Sequence, residues 1–297
     1  MLRRDDIRCY NINNISISTI KNTRGTFLDK EMLDLYSDYL IGSFSQTTAT
    51  TLSQLLDGII SHDKVTRFLS KSDYTSVDLW KLVKPTVRSV ESNDGLLIVD
   101  DTIEEKPYTD ENEIITWHFD HCQGRSIKGV NILNLLYHTQ DINIPVAFEI
   151  IHKPTLYSDI KTRKVRRKSE ETKNELMRNM LIVCERNRLL YRYILSDSWF
   201  ASAENMGFIK VTLNKEFVMA IKDNRTVALS MEDKLNGRFV RVDSLIWEQN
   251  TPRTVYIKGL DFPVLLVQEV FQNKDGSVGV LYLVCSDTNL TRDKITM

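Results

Sequence analysis

Three aspartates stand where short apolar runs end. LLIVDDT brings Asp100 and Asp101 to the end of the run 96–100, and YILSDSWF brings Asp197 to the end of 193–197. An apolar strand delivers a carboxylate rigidly to a sheet edge, where a neighbouring strand can bring a second one close. Two such acids would make a seat for divalent cations. Hard oxygen ligands suit Mg2+ or Mn2+, and a metal pair about 4 Å apart activates an attacking oxygen and stabilises a leaving oxygen at phosphorus. Asp100 and Asp101 are successive, so in an extended strand their side chains alternate and only one can face the metals. The competing reading is that each Asp caps the turn or helix that follows it.

A phosphorus centre implies a polyanion, and KTRKVRRK (161–168) supplies six Lys and Arg in eight residues. On a nucleic-acid backbone Lys161, Arg163, Lys164, Arg166, Arg167 and Lys168 would act as a sequence-independent, salt-sensitive clamp; otherwise the run is a solvated loop. The net charge of −1 hides a polarity: Lys and Arg against Asp and Glu give +2 over 1–90, −9 over 91–152, +7 over 153–192 and −1 over 193–297. An acidic block followed by a basic block suits an enzyme that holds cations with one and phosphates with the other, or is simply two surface patches. WHFDHC offers His118, His121 and Cys122, but alternation turns His118 away from His121 and a fourth ligand is missing, which argues against zinc. The four cysteines form no CxxC pair and read as buried or incidental thiols. Trp199 and Phe200 read as helix-packing residues.

The elements that must position these groups follow from periodicity. Apolar residues at helical spacing mark helices over 31–42, 49–60, 63–70 and 77–91, the last with Ser76 as N-cap and a kink at Pro85. Lys64, Arg67 and Lys71 are candidate phosphate contacts if these helices form a helix-turn-helix reader. Strands follow over 96–100, 114–120, 131–138, 144–151, 193–197 and 216–222, with helices at 169–190, capped by Ser169, and after Asp197. The stretch 223–285 is β-rich, with a hairpin turn at Lys274-Asp275-Gly276. At 297 residues, 42% hydrophobic and 27% charged, the chain can bury a core and contains no run apolar enough to span a bilayer. Its N-terminus, MLRRDDIRCYNINN, does not read as a signal peptide, so a cytoplasmic protein is expected.

LLIVDDT, the basic and helical interval, LSDSWF, AIKDNR (220–225) and YLVCSDTNLT (282–291) together resemble the DDE transposases of bacterial insertion sequences, specifically insertion sequence family four and its relatives. The resemblance runs from about residue 30 to the end. It implies an α/β fold: a helical DNA-binding domain over 1–90, a ribonuclease H-like mixed-sheet core over 91–222, a β-rich insertion over 223–280 and a return strand over 281–297. It makes Asp100, two positions before Thr102, the first catalytic and metal-binding acid, Asp197 the second, and Asp101 the reserve. Arg225 of Asn224-Arg225 would hold a DNA phosphate or form a surface ion pair. Two Mg2+ (or Mn2+) ions, double-stranded DNA with terminal inverted repeats, a homodimer and association with the bacterial nucleoid are implied with it. The third acid of the family, a Glu after the LVCSDT-like strand, has no counterpart here. No Glu follows Glu269, and the chain reads as a transposase ending before its last catalytic element. A DNA-binding fragment without activity and a ribonuclease H-like nuclease unrelated to transposition are the alternatives.

Overall fold

A computed structural model describes residues 26–44, 47–71, 74–120, 123–160, 163–247, 251–273 and 275–296. The chain divides into two compact units after Tyr74. The first holds helices α1 (Thr26–Gly42), α2 (Ala49–Leu55) and α3 (His62–Leu69). Thr48 and Ser61 cap α2 and α3 by accepting from the N–H groups of Thr51 and Lys64. Met32, Tyr39, Leu52, Ile60, Val65 and Phe68 form the core of this unit.

The second unit opens with α4 (Ser76–Val90), which the sequence reading had grouped with the helices before it. Its N-cap is Thr75 rather than Ser76, closed by a reciprocal bond with Asp78. Ser76 instead lies inside the helix, and its Oγ accepts from the N–H of Phe148 at 2.8 Å, tying α4 to the sheet. The helix continues through Pro85 to Val90, so the proline costs one helical bond without ending the element.

Eight further strands and three helices lead to and surround the site: β1 (Leu96–Glu105), β2 (Ile115–Asp120), β3 (Arg125–Thr139), β4 (Ile142–Ile150), β5 (Thr155–Asp159), β6 (Lys164–Lys168), α5 (Lys173–Arg186), β7 (Tyr193–Ser196), α6 (Ala203–Gly207) and β8 (Glu216–Ile221), then β9 (Thr226–Ala228) and α7 (Met231–Leu235). The chain goes on through β10 (Val240–Arg241), β11 (Arg253–Ile257), β12 (Val264–Gln272), β13 (Val278–Cys285) and the short α8 (Arg292–Ile295). Eleven strands make one mixed sheet, ordered β10-β9-β11-β12-β13-β8-β7-β1-β3-β2, with β4 also paired to β3. β1, β7 and β8 run parallel at its centre, and β3 and β13 flank them antiparallel. The expected β-rich insertion therefore widens the same sheet. Glu269, on β12, lies three strands from β7.

Alternation sets the two faces. Leu97 and Val99 of β1, Leu133, Leu135 and Tyr137 of β3 and Ile194 of β7 are fully buried, and Met177, Met180, Leu181 and Cys184 of α5 pack in the same core. At about 25 cal/mol per Å² of apolar surface, each such side chain contributes roughly 1.5–3 kcal/mol. Three local expectations are corrected. The helix expected from Ser169 starts after Thr172, whose side chain and that of Glu175 close a capping box, because Ser169 is engaged elsewhere, donating to the carbonyl of His152. Helix α6 starts only at Ala203 and passes into a π-helical turn, Phe208–Thr212, so Trp199 and Phe200 precede it. The basic run does not form a loop leading into a helix but supplies β6 of a two-stranded hairpin with β5.

Candidate functional site

The parallel pairing of β1 with β7 runs Leu96 to Tyr193, Leu97 to Ile194, Ile98 to Leu195 and Val99 to Ser196. One step further, Asp100 and Asp197 stand side by side. Apolar side chains lock both strands up to that step and solvent begins beyond it; both aspartates are exposed. The Asp100 carboxylate accepts from the N–H of Asp101 at 2.8 Å, and that of Asp197 from the N–H of Trp199 at 3.0 Å. Partial removal from water raises the pKa of Asp197 above the usual carboxylate value, and the charges of Asp100 and, less, Asp101 push the same way, against the N–H groups of Trp199 and Phe200.

Asp101 is in a different environment. It shares the parity of Leu97 and Val99, so it points to the face that α5 covers. There its Oδ2 accepts from Lys173 Nζ at 2.6 Å and from Asn131 Nδ2 at 2.9 Å. Asp101 is thus committed to a protein cation, whereas Asp100 is bonded only to its neighbour's backbone.

The Asp101 face carries groups that the sequence reading passed over. Lys153 donates to the carbonyl of Trp117 at 2.8 Å and to Nδ1 of His118 at 3.3 Å. Because Lys can only donate, His118 Nδ1 is the acceptor and its Nε2–H donates to Thr116 Oγ1, 2.8 Å away. Burial, reinforced by Lys153 and Lys173, lowers the pKa of His118 to about 4. His118 is a buried neutral ring within a hydrogen-bond chain and not a metal ligand; His121 and Cys122 lie outside the described residues. Lys173 also places its ammonium 5.5 Å from the centre of the Trp199 ring. Phe200, beside it, is fully buried. The signal that could have found this face is Asn131: in NILNLLYH it occupies a position in phase with Leu133 and Leu135, where a polar residue demands a partner.

The remaining expected contacts are spread over the chain. Arg163 lies in the β5–β6 turn with a left-handed backbone. On β6, Lys164, Arg166 and Lys168 are exposed and Arg167 is half-buried, with Arg166 paired to Asp159 and Arg167 to Glu111. Lys161 lies outside the described residues. Arg225 is in the turn that leaves β8 at the edge where β7 delivers Asp197. Lys64 and Arg67 are exposed on α3 of the first unit, as is Lys71 beyond it. A third carboxylate does not join Asp100 and Asp197: among the described residues no group of three or more His, Cys, Asp or Glu could hold a metal ion. The donor type fits one hard divalent cation at Asp100 and Asp197, and the described residues do not assemble the expected two-ion seat.

A sequence profile described as a DDE superfamily endonuclease matches residues 26–237. No curated protein matches the chain. Among solved structures, the NurA nuclease from Sulfolobus solfataricus aligns at 9% identity over 82% of this chain and 84% of its own, with a TM-score of 0.27. Kluyveromyces polysporus Argonaute with a guide RNA aligns at 12% identity over 93% of this chain, which spans 33% of Argonaute, with a TM-score of 0.25. Likeness at that level carries no argument.

Proposed function

The chain belongs to the DDE superfamily endonucleases, and from that premise we propose that it is a DNA transposase with a ribonuclease H-like core, cutting and joining the ends of an insertion sequence by metal-dependent phosphoryl transfer. The observation that carries this reading is the placement of Asp100 and Asp197 in one register row at the ends of adjacent parallel strands. A divalent cation, Mg2+ or Mn2+, held there would stabilise charge on the phosphate and favour an attacking hydroxyl. The protein's own part is positional. Asp100 and Asp197 hold the cation, Asp101 stays with Lys173, and the exposed bases of β6 with Arg225 hold the phosphodiester backbone on either side. The helices of the first unit, through Lys64 and Arg67, bind the terminal inverted repeats, and two chains pair the two ends.

The absence of a third acid beside Asp100 and Asp197 among the described residues favours one alternative, a chain that binds these ends without cutting them. Supercoiled plasmid carrying the DNA that flanks the gene separates the readings. Incubation with Mg2+ is expected to give nicks with 3′-hydroxyl ends at the element boundary, followed by joined products. Retention without nicks supports the binding-only reading, nicks at unrelated positions support a nuclease outside transposition, and no retention at all refutes both.

A further inference from the structure

We infer that Lys153 and Lys173 form a seat for one DNA phosphate on the α5 face of the sheet, beside the carboxylate edge. This deepens the proposed function and rests on it. Three cations, Lys153, Lys173 and Arg167, meet two acids here: Asp101, which takes Lys173 at 2.6 Å, and Glu111, which takes Arg167 at 3.8 Å. His118 adds no charge, because its ring is held neutral. The cluster therefore carries an excess positive charge at partly buried positions; the Lys173 side chain is 21% exposed.

The two ammoniums also retain donors. Lys173 spends one N–H on Asp101, and Lys153 spends two on Trp117 and His118, which leaves three of six for an anion. Their mutual proximity is costly as it stands: burial and the Lys173 charge lower the proton affinity of Lys153, which Glu111 offsets only in part. A phosphate between them would relieve that repulsion and accept the remaining N–H groups.

The seat lies next to the reacting edge. Lys173 stands over the Trp199 ring, and Trp199 donates its backbone N–H to Asp197. On the other side, the Arg167 guanidinium donates to the carbonyls of Lys153 and Pro154 at 3.4 Å, so the seat adjoins the basic strand β6. A strand leaving the hairpin for Asp197 crosses it. Asp101 is then a positioning residue that aims Lys173.

The test is binding of a labelled mixed-sequence DNA duplex in EDTA across a salt series, using the full chain. Each lost phosphate contact lowers the slope of log K against log salt by about 0.9. For Lys173→Gln, the affinity deficit against wild type should therefore shrink about 3.5-fold between roughly 50 and 200 mM salt. Lys173→Arg should restore the wild-type slope, and Asp101→Asn, which leaves the ammonium in place, should keep it. An unchanged slope for Lys173→Gln overturns the seat, as does an equal loss for Asp101→Asn, which would make Lys173 only a partner of Asp101. Absence of any salt-dependent binding by the wild type is a different failure, that of the DNA reading itself.

Discussion

Acidification should unfold the second unit through His118, by an amount the structure specifies. Folded, the ring is buried between Thr116 and Lys153 and stays neutral down to about pH 4. Unfolded, it protonates near its model value of 6.5. Between these values the unfolded chain binds the extra proton, so stability rises with pH across the window and is lost as pH falls through it. Each unit of separation is worth about 1.4 kcal/mol, so the fall from pH 7 to pH 5 removes about 2 kcal/mol, and the full window about 3. All four tryptophans (80, 117, 199 and 247) lie after Tyr74, so tryptophan fluorescence during urea unfolding reports on this unit. His118→Gln keeps a polar side chain without the titration. Wild type minus variant cancels the carboxylates common to both, and the difference should change by about 2 kcal/mol over those two pH units. Parallel pH profiles for the two proteins would refute the buried neutral ring.

Other consequences concern the frame and the backbone clamp. Gly129→Ala should destabilise the second unit by about 3 kcal/mol or prevent its folding, since a Cβ there would lie 2.2 Å from the carbonyl oxygen of Glu104 on β1. Urea midpoints or soluble yield measure it. Thr172→Ala removes the capping box of α5 and should cost about 1 kcal/mol in the same assay. Joint replacement of Lys164, Arg166 and Lys168 by Gln should make the salt slope of DNA binding shallower by about 2.7 if each base meets one phosphate; an unchanged slope would remove the hairpin from the interface.

The central strands were legible because each repeats a simple pattern. LLIVD and YILSD are apolar up to one residue and acidic at the next, which is how a buried parallel strand ends at water, and the pairing of β1 with β7 aligns those two ends. The hairpin was hidden because KVRRK lacks alternating apolar residues; its strand character comes from pairing with TLYSD across a turn that needs Arg163 in a left-handed conformation. Phe200 reads as apolar and is buried, but the helix it was assigned to starts only after the Ser202 cap. The Asp101 surroundings were out of reach for another reason. Lys173 is 72 residues from Asp101 in sequence and Lys153 is 35 from His118, and no local pattern announces contacts over such distances. The choice of Asp100 over Asp101 rested on alternation alone, which says that the two differ and not which of them meets a cation of the protein's own.

The account's central claim is that Asp100 and Asp197, and not Asp101, hold a divalent cation. Titration of the chain with Mn2+, following the loss of free-ion signal by electron paramagnetic resonance, tests it without requiring turnover. Wild type should bind Mn2+, Asp100→Asn and Asp197→Asn should each abolish the binding, and Asp101→Asn should retain it. Binding that survives the first two substitutions or vanishes with the third would contradict the assignment.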